Sequence, residues 1–154
     1  MKITGKKSLG ETLKIILIIG FIAAIPAIII SPELLHHTRN SMYSRVIIYP
    51  NGLLMLGIIY QFIKLFKSLE DDKPFTLNNV IILKRTSILS LIMSIMWILD
   101  LVFMITIMKN TYINYIIVIL FLSVLFFGVS IALYILKELI YQATKYKEEN
   151  DLTI

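Results

Sequence analysis

Four apolar runs, each close to the thickness of a bilayer in helical length, constrain this chain more than any other feature. They cover about residues 12–30, 46–66, 86–108 and 112–136. An α-helix needs ~20 residues to cross ~30 Å of hydrocarbon. A transmembrane barrel would instead alternate apolar and polar residues over ~10-residue strands. The runs here are continuous, as in IILIIGFIAAIPAIII (15–30) and IIVILFLSVLFF (116–127). The expected fold is therefore all-α: an integral membrane four-helix bundle, one membrane domain over residues 1–154.

Composition closes off the main alternatives. The 154-residue chain is 58% hydrophobic and 16% charged, with a mean hydropathy of +0.84. An average soluble domain is ~45–50% apolar and ~25% charged. One soluble core of this size has no room for the excess apolar surface, and disorder demands the opposite composition. There is no cysteine, which removes disulfides, thiolate nucleophiles and Cys-ligated metals. No cofactor is expected.

Charge orients the spans. With the N-terminus in the cytoplasm, twelve basic residues fall inside: Lys2, Lys6, Lys7, Lys14, Lys64, Lys67, Lys73, Lys84, Arg85, Lys137, Lys145 and Lys147. Three fall outside: Arg39, Arg45 and Lys109. This bias predicts both termini inside and a multi-pass protein of a bacterial cytoplasmic membrane. The net charge of +5 is then an orientation signal, and no direct nucleic-acid role is expected. The first span reads as an uncleaved anchor, because its apolar run is long and no small-x-small site follows it. Helices three and four are expected to extend into the cytoplasm, the fourth through a tail at 137–154.

Local punctuation sets expected boundaries. Ser8 and Glu11 have capping-box spacing ahead of the first span. Thr76 is the expected N-cap of the helix leading into the third span. Pro32 is expected to end the first helix, Pro26 to kink it, and Pro50 to sit in the first turn of the second.

Few residues offer chemistry. Asp100 is the only acid deep in a span, eight residues before Met108 and so ~12 Å from the helix end. A carboxylate there costs ~2.5–3.5 kcal/mol on insertion scales, so it must face the bundle or take up a proton. Asn51 is expected at a comparable depth, with Tyr49, Asn114 and Tyr115 near the same face. Two readings remain open: a proton-coupled or ligand-gated site, and a hydrogen-bonded Asp that fixes packing. His36 and His37 are adjacent, so one metal ion does not naturally take both, and they read as part of a solvated loop. No GxSxG, HExxH, P-loop or paired-carboxylate motif is present. The span serines Ser87, Ser90, Ser94, Ser123 and Ser130 have no membrane-buried histidine to activate them. The chain is expected not to be an enzyme.

The cytoplasmic face holds the unusual sequence. The segment KPFTLNN (Lys73–Asn79) leads into the third span, and KEENDLTI (Lys147–Ile154) ends the chain. Together they resemble the bacterial domain-of-unknown-function family 2975, small four-span membrane proteins, over nearly the whole chain. The matching positions are Pro74, Phe75, Thr76, Asn79, Glu149, Asn150, Asp151, Leu152 and Thr153. The family usually has Gly where this chain has Asp72. The resemblance implies no catalytic residues. It implies a membrane component paired with a small helix-turn-helix regulator. The two motifs are expected to touch, Phe75 packing on Leu152 and the loop backbone or Lys73 receiving the tail carboxylates.

The function expected from these features is non-enzymatic: a regulatory or sensory membrane protein that signals to a cytoplasmic partner through its inner loop and tail. The alternatives are a small oligomeric transporter using Asp100 and an immunity protein against a membrane-active peptide. Besides the lipid bilayer and the regulator, a further copy of the chain is a candidate partner.

Overall fold

The computed structural model describes residues 4–34, 41–70, 74–108 and 113–151. These form four helices: α1 (Thr4–Leu34), α2 (Ser41–Glu70), α3 (Leu77–Met108) and α4 (Ile113–Asp151). All four are long and apolar enough to cross a membrane. Among the described residues there is no strand. Lengths of 31, 30, 32 and 39 residues correspond to about 45–58 Å at 1.5 Å per residue. Every helix therefore outruns ~30 Å of hydrocarbon, α4 most of all.

Close backbone packing follows chain order. Among the described residues, α1 lies against α2, α2 against α3, and α3 against α4. Successive helices are antiparallel: Asn51 meets Asp100 and Ser87 meets Ser130. The start of α1, the end of α4 and the α2–α3 connection consequently share one end, called here the termini end.

The interior reverses the soluble pattern. Among the described residues ten polar side chains are buried against eight apolar ones. The large apolar residues, such as Ile16, Ile19, Ile22, Phe121 and Val124, face outward. Such a molecule suits lipid as its solvent, where association rests on small residues and interhelical hydrogen bonds instead of apolar burial. α3 supplies most of the buried positions. Its Ile82 and Leu83 pack with Leu65 of α2 and Leu133 of α4, and Phe62, Val129 and Ile140 close around them.

Two reciprocal serine bridges join α3 to α4. Ser87 Oγ donates to Ser130 O at 2.9 Å, and Ser130 Oγ donates to Ser87 O at 2.9 Å. Seven residues along, Ser94 Oγ donates to Ser123 O at 2.9 Å, and Ser123 Oγ donates back to Ser94 O at 3.2 Å. Only a small side chain allows this backbone approach. Ser94→Ala is expected to cost roughly 0.6 kcal/mol, the usual worth of such a membrane hydrogen bond. Ser94→Leu should cost more, because the two backbones must part. Reversible unfolding in detergent micelles would measure both.

Several expected boundaries shift. Ser8 and Glu11 lie inside α1, which begins at Thr4, so their spacing marks no cap. α1 also runs through Pro26 and Pro32 to Leu34. Pro50 is not in the first turn of α2, which begins at Ser41. Membrane helices tolerate internal proline because neighbouring helices and local adjustments re-satisfy the freed carbonyl. Thr76 does cap α3: its Oγ1 accepts from the Asn79 N–H at 3.4 Å.

α1 depends on a knob and a notch. A Cβ built on Gly52 would lie 2.7, 2.8 and 2.9 Å from Cγ1, Cδ1 and Cγ2 of Ile28. The absent side chain is what lets the branched Ile28 seat against α2.

Candidate functional site

Two places gather polar groups. The first is deep in the α2–α3 interface. Asn51 Nδ2 donates to Asp100 Oδ2 at 2.7 Å, and the residues are 6% and 5% exposed. Antiparallel packing sets ten residues of α2 beyond Ser41 beside a point eight residues short of the end of α3. The amide dipole meets a carboxylate that lipid could not solvate. Asn51 Oδ1 and Trp97 Nε1, one turn before Asp100, are buried with no hydrogen-bond partner among the described residues. Tyr49, Asn114 and Tyr115 are exposed, so the expected cluster reduces to Asn51 and Asp100, with Trp97 on the same helix.

The second place is the termini end. Pro74, Phe75 and Thr76 precede α3 in an ordered turn. The Asn79 N–H also reaches Thr76 O at 3.0 Å, and Asn79 Nδ2 donates back to Pro74 O at 2.9 Å. Asn79 is fully buried. The N-cap and third helical residue thus clamp the loop much as a capping box does. Phe75 remains 48% exposed. Phe75, Thr76 and Leu77 line a cleft of about 340 Å³ with Thr144, Lys147 and Glu148 of α4. Glu149 and Asn150 are exposed in the last turns of α4, and Glu149 lies 3.9 Å from Lys145. Asp151 is the last residue of α4. Lys73, Leu152 and Thr153, like His36 and His37, lie outside the described residues. The expected contact of Phe75 with Leu152 lies outside them too.

The α4 extension is a packed helix, not only a tail. Ile140 touches the α3 core and Thr144 Oγ1 donates to Ile140 O at 2.8 Å. Leu139, next to Ile140, is 57% exposed. At about 100° per residue Leu139 lies at the outer edge of the side that Ala143 and Ile140 share, so Ile140 reaches the core while Leu139 stays exposed.

Sequence reasoning passed over one group. Gln61, Lys64 and Lys67 of α2 line a groove of about 420 Å³ with Thr76, Asn78 and Arg85 on the α3 side. The i,i+3 spacing of Lys64 and Lys67 was the available signal, since it puts both on one helix face.

Four membrane-length helices, with buried polar side chains on α2, α3 and α4, define a multi-pass helical membrane protein. The model of the family described as "Protein of unknown function (DUF2975)" matches residues 12–154. The chain belongs to that family. No curated protein and no solved structure is significantly similar to it.

Proposed function

We propose that this is a non-enzymatic regulatory or sensory protein of the bacterial cytoplasmic membrane. Both termini lie in the cytoplasm, where the termini end docks a partner. The observation that carries the reading is the cleft at that end. Its walls come from the Pro74–Thr76 loop and from the turns of α4 just before Glu149, the two segments that bear the family motifs. Exposed Phe75 and Leu77 line it beside Lys147 and Glu148, a combination of an aromatic anchor and flanking charge that suits protein recognition. Among the described residues Lys6, Lys7, Lys14, Lys64, Lys67, Lys84, Arg85, Lys137, Lys145 and Lys147 lie toward this end and Arg45 toward the other, which supports a cytoplasmic placement.

The partner implied by the family resemblance is a small helix-turn-helix regulator. Co-purification of the intact protein with that regulator from solubilised membranes tests the reading. Phe75→Ala, and separately removal of residues 152–154, should each release the regulator. Retention of the regulator by both variants would overturn the docking.

The second reading, a small oligomeric transporter, rests on the Asn51–Asp100 pair. A buried carboxylate beside an amide oxygen that has no partner among the described residues supports proton or cation coupling. A transport or resistance phenotype that survives Asp100→Asn would exclude coupling through the carboxylate.

A further inference from the structure

We propose that the α2–α3 groove at the termini end binds the phosphate of an anionic phospholipid headgroup. The proposal stands apart from partner docking, which uses the α3–α4 cleft.

The groove, about 420 Å³, takes Lys64 and Lys67 from α2 and Arg85 from α3. Among the described residues no acidic side chain lines it. None of the three cations has an ion-pair partner among the described residues. Three like charges along one groove repel one another and favour a counter-charge. The ammonium of Lys64 lies 4.5 Å from the centre of the Tyr60 ring, a contact that steadies it without neutralising it. Thr76 and Asn78 add hydroxyl and amide groups at the first turn of a 32-residue helix, whose N-terminus favours negative charge.

Two further features select a lipid over a free anion. Ile81 and Ile82 form part of the wall, and Ile81 is 48% exposed. They lie beside the cations, as an acyl chain lies beside its headgroup. The groove also sits where α2 leaves its apolar run and α3 enters one, at the depth of the headgroup layer. Basic pockets between helices at this level are suited to anionic headgroups. Gln61 Oε1, buried and without a partner among the described residues, is an acceptor for a headgroup hydroxyl. Phosphatidylglycerol offers both the phosphodiester and the hydroxyls.

Native mass spectrometry of the full chain would test this. The protein is released from mixed micelles holding equal amounts of phosphatidylglycerol and phosphatidylcholine, and the retained lipid is identified. The intact chain should retain phosphatidylglycerol preferentially. The pair Lys67→Gln and Arg85→Gln should weaken that preference by about thirtyfold. The charge-matched pair Lys84→Gln and Lys145→Gln, exposed and outside the groove, should leave it intact. Exchange of the cations, Lys67→Arg with Arg85→Lys, should retain it and guards against a folding defect. Equal loss in both Gln pairs, or in neither, would overturn the proposal. Displacement of the lipid by inorganic phosphate would also overturn it, by assigning the groove to a soluble anion.

Discussion

Asn51→Leu is expected to destabilise the protein by about 2 kcal/mol, and Asp100→Leu in the same chain to restore most of that loss. Asn51 makes the one hydrogen bond to the Asp100 side chain among the described residues, at 2.7 Å. Removing the donor strands a buried carboxylate, which costs about 1–3 kcal/mol or more. Removing both partners leaves an apolar seam that lipid and neighbouring side chains can fill. Unfolding of all four members of the double-mutant cycle in detergent measures the coupling. Additive effects would show that the two residues do not support each other. Asp100→Asn belongs beside this cycle. An amide can still bond with Asn51, so its stability should stay near that of the parent chain. Any function lost in that variant then reports on the carboxylate's charge and not on packing.

Gly52→Val should release α1 from α2. Even a single Cβ would lie within 3 Å of three Ile28 atoms, and valine adds two methyl groups. Ile28 is β-branched and held to one rotamer in a helix, so it cannot swing aside. Overpacking of this kind costs about 1–3 kcal/mol. The effect should be large because the close backbone contacts of α1 are with α2 alone among the described residues. Ile28→Ala in the Gly52→Val chain should restore the fit. The chain has no cysteine of its own, so labelled or crosslinked positions in α1 and α2 would follow the separation without background. An unchanged α1–α2 distance in Gly52→Val would refute the notch.

Much of this structure follows from local sequence. The four helices are set by apolar length alone, and the Asn51–Asp100 pair follows from equal depth in antiparallel neighbours. Thr76 caps α3 because a hydroxyl ahead of Leu77 and an amide at Asn79 are a local signal, resolved within four residues. The Ser8–Glu11 spacing misleads because the residues before it also favour a helix, and a cap requires the helix to stop. The serine bridges need more than local information. Ser87 and Ser94 are spaced by seven, as are Ser123 and Ser130, but which faces which depends on how two helices slide past each other. The groove is hidden for the same reason. Lys64, Lys67 and Arg85 each read as an orientation charge until α2 and α3 lie side by side.

The paired serines also act as a ruler. A slip of one helical turn between α3 and α4 separates both pairs at once. A slip of seven residues restores a pairing at only one level, Ser87 with Ser123 or Ser94 with Ser130. Pistoning of α3 along α4 therefore costs both bridges together, and the register favours the two helices acting as a single strut. The other seams are of a different kind: a knob in a notch holds α1, and a buried amide and an apolar cluster hold α2 at two separated heights. The cleft beside Phe75, walled by the start of α3 and by α4, belongs to that strut.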